Sequence, residues 1–306
     1  MVGPTAAGKS ALACRLAVEL GAEIVNADAL QVYRGFDIGT AKPGVAERRA
    51  VPHHLIDILD PVERYSAGEF ARRAQEAFGS IASRGRRAIL VGGSGLYLRA
   101  LWSGIAPLPE VNPAIRAELE ERLVRQGLEE LSRELARVDP IAARRLGARD
   151  SQRIRRALEV HRATGVPLSE WIARSPFGSS AVAMRKIGLT LPRAVLYDRI
   201  DARAREMMSR GWVAEVERLL DSGVSSEAPA FQAIGYSQLV AALEGRVGMD
   251  EALEQLIRAT RRFAKRQETW FRREAGIEWW DARDVQAGFG AIMKAVLEKN
   301  GRGADE

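Results

Sequence analysis

One cysteine, Cys14, is all the thiol chemistry in this chain of 306 residues. That excludes an intrachain disulfide and fits a reducing compartment. Cys14 follows a glycine-rich loop on a helical stretch, where packing in the core is the expected role. No apolar run approaches the roughly 20 residues that span a bilayer. No basic-then-apolar leader is read at the start either. A soluble, cytoplasmic protein without membrane contact is therefore expected. Internal repeats and low-complexity tracts are missing, which removes repeat architectures from consideration. Metal chemistry on the protein's own ligands is thinly supplied. His53-His54 is an adjacent pair whose side chains point to opposite faces of an extended chain, with no cysteine or third histidine nearby. A structural role is expected for both.

What is present is an ordinary globular composition, 46% hydrophobic, with a net charge of +6 and a pI near 9.7. The length accommodates one large α/β domain, or a core with a second unit inserted. The moderate basic excess points to an anionic partner. The first ten residues say which anion. Gly3-Pro4-Thr5-Ala6-Ala7-Gly8-Lys9-Ser10 is a phosphate-binding loop pattern: two glycines four residues apart, then lysine, then a hydroxyl. The glycines let backbone N–H groups converge on phosphate oxygens, Lys9 adds a point charge, and the Ser10 hydroxyl suits a magnesium ion. The helix read from Ala11 to Leu20 directs its positive N-terminal end at the same place. The strand expected before the loop is only Met1-Val2, so either the strand is nearly absent or the true start lies upstream; a weak sheet edge is expected here.

After Gly21, residues 23–28 form a short buried strand ending on a carboxylate, Asp28. In parallel α/β sheets ligands sit beyond the carboxyl ends of strands, which brings Asp28 near the loop. Residues 29–61 are irregular and punctuated by glycine and proline. A helix is expected over Ala67–Ser83, a strand over Ala88–Val91, and then Gly92-Gly93-Ser94-Gly95 leads into a helix over Leu96–Leu101. From Pro113 to about Ile172 the pattern is helical with no convincing strand. Arg144, Arg145, Arg149, Arg153, Arg155, Arg156 and Arg162 crowd this span. Ile154 and Leu158 keep a helical spacing there, so one side packs and the other is cationic. After a turn at Ser175-Pro176-Phe177-Gly178, a strand over Lys186–Leu191 returns to the sheet. Helices follow from Arg193, with a glycine-hinged link at Gln232–Tyr236. A long basic helix over Leu256–Glu274 interleaves Phe263, Trp270 and Phe271 with cations. A last strand over Ile277–Asp281 and a helix to about Lys299 close the chain, leaving 300–306 as a frayed tail. The fold class read is α/β, a P-loop NTPase-like parallel sheet core flanked by helices, with an all-helical insertion. The boundaries are 1–106 and 185–306 for the core and 107–184 for the insertion.

A phosphate loop, a carboxylate at a neighbouring strand end and two arginine-rich helical surfaces need one explanation. Arginine serves phosphate contacts, and aromatic rings stack on unpaired bases, so a nucleic acid is indicated. Solvated basic faces remain the plain alternative. Asp28 fits a general base, and equally a strand-end cap or a water-mediated magnesium contact. A small-molecule kinase explains the loop but leaves both basic surfaces idle. A nucleotide-gated RNA-binding protein without catalysis is a third reading.

Several motifs resemble one family in order along almost the whole chain. They are residues 3–10, Asn26-Ala27-Asp28, Gln31-Val32-Tyr33-Arg34-Gly35, and Asp37-Ile38-Gly39-Thr40-Ala41-Lys42-Pro43. Further along come Pro52-His53-His54-Leu55-Ile56-Asp57, Tyr65-Ser66-Ala67-Gly68-Glu69-Phe70 and Gly92-Gly93-Ser94-Gly95-Leu96-Tyr97. Residues 152–159 (Gln152-Arg153-Ile154-Arg155-Arg156 and onward) and 260–267 (ending Arg266-Gln267) complete the set. Together they resemble the bacterial tRNA dimethylallyltransferases, the isopentenyl-diphosphate:tRNA transferase family. The resemblance implies transfer of a dimethylallyl group from dimethylallyl diphosphate to N6 of the adenosine just 3′ of the anticodon. The implied substrates are tRNAs reading codons that begin with U, and diphosphate is released.

By that resemblance the loop from Gly3 to Ser10 cradles the diphosphate, with Ser10 helping to hold Mg2+. Lys9 and Arg203 would neutralise charge on the leaving group. Asp28 would accept or orient the proton of the amine, and Ser94, where the family usually has threonine, would contact the base. The implied contacts to the tRNA anticodon stem-loop are Asp28, Ala29, Leu30, Gln31 and Ser94, then Arg116, Gln152, Arg153, Ile154, Arg155 and Arg156. Gln232, Arg261, Arg262, Lys265 and Arg266 are implied in the same way. Ala29 and Leu30 replace a serine and a methionine usual in the family. A monomer is expected.

Overall fold

Parallel pairing organises the core. In the computed structural model, which describes residues 1–104, 108–109, 111–147, 150–174 and 184–297, β1 (Glu23–Asn26) lies between two parallel partners. They are β2 (His53–His54) on one side and β3 (Ala88–Val91) on the other. A second parallel pair joins β4 (Lys186–Thr190) to β5 (Ile277–Asp281). Met1 and Val2 stitch the two together. Val2 N–H donates to Ile187 O at 2.8 Å, and Leu189 N–H donates to Val2 O at 2.9 Å. On the other side Gly92 N–H donates to Met1 O at 3.3 Å. The two-residue strand is therefore not an edge, as its length suggested. It sits between β3 and β4, in the middle of the row. Buried on both faces, it needs no alternating pattern and little length, because its neighbours supply the ladder.

The phosphate loop follows directly and runs into α1 (Lys9–Leu20). Gly21 ends that helix in the left-handed region at φ 59°, its N–H returning to Ala17 and Val18 carbonyls; glycine adopts that conformation without a Cβ penalty. The long irregular span holds a short α2 (Val45–Ala50) and β2. α3 (Ala67–Ser83) begins where expected, with the Ser66 hydroxyl accepting Glu69 N–H at 3.1 Å. α4 (Gly95–Ser103) follows β3. The apolar face of α1 (Leu12 and Leu16) packs with Ile187, Leu189, Ile200 and Ala264, while Ala13 and Ala17 pack with Ile24 and Val91. Cys14 is half-buried beside this second cluster.

The chain divides into two units, Met1–Leu98 with Val182–Glu306, and Arg99–Ala181. The described elements lying wholly within the second unit are all helical: α5 (Pro113–Val138, kinked at Gly127), α6 (Pro140–Arg145), α7 (Ser151–Thr164) and α8 (Leu168–Arg174). Leu119, Leu131, Leu135, Ile154, Ala157 and Leu158 form its core. Asp139 is buried there and satisfied, accepting N–H groups from Ala142 at 2.8 Å and Ser169 at 2.9 Å. Arg149, the turn at 175–178 and the tail 300–306 lie outside the described residues.

Back in the first unit come α9 (Arg193–Ser209), α10 (Trp212–Asp221), a short 3-10 helix (Pro229–Gln232), α11 (Tyr236–Leu243), α12 (Met249–Phe271) and α13 (Phe289–Leu297). Their aromatic centre explains two glycines. A Cβ at Gly39 would lie 2.1 Å from the Trp212 indole nitrogen, and one at Gly235, where φ is +95°, would lie 2.0 Å from the same ring. Glu215, 3% exposed, accepts N–H groups of Asp37 (3.1 Å) and Ile38 (2.7 Å) and the hydroxyl of Tyr236 (2.6 Å). A buried carboxylate with this many donors is satisfied, and it pins the 37–40 turn to α10.

Candidate active site

The loop geometry begins with Gly3. Its φ is +138° and an added Cβ would lie 2.4 Å from Leu189 O, so only glycine passes β4 this closely. Ala6 takes φ 63°, and Gly8 caps α1 at φ 88°. Leu12 is the first residue to close an intrahelical bond, onto Gly8 O at 3.2 Å. The N–H groups of Lys9, Ser10 and Ala11 thus start the helix without partners along it, the arrangement that favours an anion. Two other N–H groups of the loop are engaged within the protein. Ala7 N–H reaches Pro4 O at 3.3 Å, and Thr5 N–H donates to Gln267 Oε1 at 2.8 Å. Pro4 and Ala7 are buried and Ser10 is exposed.

Lys9 folds back, its ammonium donating to Pro4 O at 2.7 Å. Burial pulls its pKa down to about 8; Asp28 works against this and Arg203 with it. The Arg203 guanidinium is likewise lowered, first by burial, with Asp28 and Glu206 opposing. Lys9, Asp28 and Arg203 therefore influence one another electrostatically at the loop. Asp28 Oδ1 accepts the Leu30 N–H at 2.8 Å and, more weakly, the Gln31 N–H at 3.4 Å. These bonds aim the carboxylate. Tyr97 also feels Asp28, although burial is the larger reason its phenol titrates high. Tyr65, edge-on to Tyr97 with ring centres 5.6 Å apart, is pushed up to about 12, also chiefly by burial. Ser94 immediately precedes α4, its carbonyl accepting the Leu98 N–H at 3.1 Å.

Two residues assigned to RNA by resemblance are turned inward. Gln31 is 9% exposed and its amide donates to Thr40 O at 3.0 Å and Ala41 O at 3.2 Å, so it braces the 37–41 turn. Ile154 is 1% exposed in the core of the helical unit; its helical spacing with Leu158, not its place in the arginine motif, describes it. Leu30 is partly buried against the aromatic cluster, and Ala29 is half-buried.

The arginines of the helical unit that the resemblance assigns to tRNA each have a carboxylate partner. Arg116 and Arg156 share Glu159, at 3.5 and 3.1 Å, Arg153 pairs with Asp150 at 3.4 Å, and Arg155 pairs with Glu120. Gln152 is exposed. In the first unit Arg261 holds Asp201 through two bonds, one of 3.0 Å, and lies over the Tyr197 ring. Arg262, Lys265 and Arg266 are exposed on α12, with Arg266 against Phe263, and Gln232 is exposed at the end of the 3-10 helix. His53 and His54 engage different partners: His53 the Val51 carbonyl at 2.7 Å, His54 the Glu23 carboxylate at 2.6 Å.

Sequence reasoning missed the working contacts of Gln267 and Glu215. Gln267 meets Thr5 and Gly93, and Glu215 meets the 37–38 backbone, across 170 or more residues, and no local pattern announces such a contact. No helix among the described residues is long and apolar enough to cross a membrane.

Known proteins match most of the chain. A family model described as IPP transferase matches residues 31–274. The tRNA dimethylallyltransferase of Geobacter metallireducens is 49% identical over 295 residues, 96% of this chain and 94% of that protein. Among solved structures, the tRNA isopentenylpyrophosphate transferase of Bacillus halodurans has a TM-score of 0.67 at 37% identity, covering 96% of this chain and 95% of that one. A eukaryotic dimethylallyltransferase acting on tRNA has a TM-score of 0.76 at 26% identity, covering 98% of this chain and 80% of that one. The α/β, P-loop NTPase-like core read from the sequence is the fold these proteins share, and on both sequence and structure the chain belongs to the IPP transferase family.

Proposed function

We propose that this chain transfers the dimethylallyl group of dimethylallyl diphosphate to N6 of the adenosine just 3′ of the anticodon, in tRNAs reading codons that begin with U. The observation that carries this reading is the grouping of Asp28 with Lys9 and Arg203 at a phosphate loop. A small-molecule kinase can use the same loop and a carboxylate base, but it leaves the arginine-rich surfaces idle, whereas transfer to a tRNA amine uses all three.

The N6 lone pair attacks the allylic carbon. The carbon–oxygen bond breaks, and its electron pair leaves with the diphosphate. Lys9 and Arg203 oppose the negative charge that grows on the departing oxygen, a stabilisation larger in the transition state than in the ground state. Asp28 takes the proton lost from nitrogen. Its Oδ1 is held by the Leu30 N–H at 2.8 Å, which leaves Oδ2 to face the amine. The Ser94 hydroxyl contacts the target base, which must leave the anticodon loop to reach the site.

Magnesium fits at Ser10. That hydroxyl is exposed in the first turn of α1, and no group of three acidic, histidine or cysteine ligands occurs among the described residues. The ion's other ligands would be phosphate oxygens and water, as is usual for Mg2+ at phosphate sites. When bound it supplies charge neutralisation to the diphosphate.

The tRNA is held by Gln152, Arg153, Arg155, Arg156 and Arg116 of a helical domain at 107–184. Gln232, Arg262, Lys265 and Arg266 of the 1–106 and 185–306 core add to this, and Arg261 acts after exchanging Asp201 for phosphate. The enzyme works as a cytoplasmic monomer. Mass spectrometry of unmodified tRNA incubated with the enzyme, magnesium and dimethylallyl diphosphate tests the proposal. One added dimethylallyl group on the anticodon-loop adenosine is expected; robust ATP hydrolysis with unmodified tRNA would overturn it.

A further inference from the structure

The side chain of Gln267 lies between two loops that the chemistry must keep in register. It is 6% exposed on α12. Its Oε1 accepts the Thr5 N–H at 2.8 Å, inside the phosphate loop, and its Nε2 donates to Gly93 O at 2.9 Å, one residue before Ser94. The amide orientation is dictated by its partners: an N–H on one side requires the oxygen, a carbonyl on the other requires the nitrogen. Glycine at 93 makes the contact possible, because an added Cβ there would lie 2.2 Å from Nε2.

The same face of α12 continues the contact above and below. Ala264, fully buried, packs in the cluster containing Ala7 and Leu12, and Trp270 covers Gly95, where an added Cβ would lie 2.4 Å from the indole nitrogen. The opposite face carries exposed Arg262, Lys265 and Arg266. One helix thus rests on both loops and presents cations to solvent.

We infer that Gln267 is a positioning residue that clamps the phosphate loop to the Gly92–Gly95 turn, setting the distance between the bound diphosphate and the residue at 94 that meets the acceptor. For its effect on rate this rests on the transferase reading. Gln267 closes the 260–267 motif beside basic residues that the resemblance assigns to tRNA; its buried amide serves the loops instead. Substitution leaves a part-buried N–H and a buried carbonyl without their partner and lets the loops drift, and small displacements of reacting groups are costly in rate.

The test is Gln267→Met, close in length but without hydrogen bonds, assayed well below its melting temperature. Single-turnover prenylation at saturating tRNA and donor is expected to fall roughly 10- to 100-fold. Affinity for inorganic diphosphate is expected to fall roughly 2- to 10-fold. Affinity for tRNA without donor is expected to stay at the wild-type value, which a general loss of structure would not allow. If the Met variant does not fold, Gln267→Glu keeps the acceptor for Thr5 and loses the donor to Gly93, and the same losses are expected. Wild-type diphosphate affinity together with an unchanged rate overturns the clamp, as does a rate loss matched by the loss of folded protein. A wild-type enzyme that fails to prenylate tRNA sinks the transferase reading instead; diphosphate affinity of the variant then decides the clamp alone.

Discussion

The Lys9 ammonium rests on the Pro4 carbonyl at 2.7 Å, inside the loop to which both belong, and burial brings its pKa down to about 8. An anion bound beside it favours the ammonium form and raises that value. Below pH 8 the charge is already present. Above it, each binding event must also take up a proton, so affinity for inorganic diphosphate should fall as pH climbs through about 8, by up to tenfold per unit. Calorimetric titrations between pH 7 and 10 on the wild type and Lys9→Gln separate this from the ligand's own ionisation. Parallel profiles for the two proteins would refute the assignment.

Asp28 has two functions that one substitution can separate. Asp28→Asn keeps an oxygen for the Leu30 N–H and so keeps the turn, but it cannot accept a proton. Turnover should fall by roughly the 10²–10⁴ typical of a lost general base, while thermal stability and tRNA affinity stay near wild type. Normal single-turnover prenylation by this variant would remove Asp28 from the chemistry.

Local patterns in the sequence were readable because local forces produce them. α3 starts after Ser66 because its hydroxyl caps the helix, and β3 is a short run of apolar residues, Ala88–Val91, whose last two are buried. The loop at 3–10 is legible because glycine, lysine and serine have fixed jobs there. The central place of Met1-Val2 was not readable, since two residues carry no pattern and their neighbours come from 90 and 188 in the chain. Ile154 shows two signals in conflict. Motif membership put it on RNA and apolar spacing put it in the core; burial decides for the spacing. Gln31 and Gln267 look like surface amides in sequence, and only their partners' positions reveal that both brace loops.

Glu23 supports the opposite end of β1. It is 3% exposed and receives Arg84 at 2.7 Å and His54 at 2.6 Å. The Arg84 hydrogen bond is the largest reason its carboxyl is held below the usual 4.5, with burial opposing and His54 assisting. A depressed folded-state value means the contribution to stability is complete above about pH 4.5 and is lost as pH falls through the folded value. Glu23→Gln should lower stability at neutral pH and flatten the acid side of the denaturation profile. An acid limb as steep as that of the wild type would show that this cluster does not set it.

The paired arginines of the helical unit lead to a prediction opposite to simple charge counting. Glu159 holds both Arg116 and Arg156, so RNA phosphate gains these cations only by displacing a carboxylate that also repels it. Removing that competitor should help. Glu159→Gln is expected to raise tRNA affinity at low salt and to steepen its decline with salt, since more phosphates are then neutralised by unpaired cations. Arg155→Gln with Arg156→Gln should do the reverse, weakening binding and shallowing the slope. Filter binding across a salt series reads both. If Glu159→Gln and the double variant leave the slope at its wild-type value, these arginines are a solvated, self-neutralised face and RNA is held elsewhere, with exposed Arg262, Lys265 and Arg266 on α12 the next surface to neutralise.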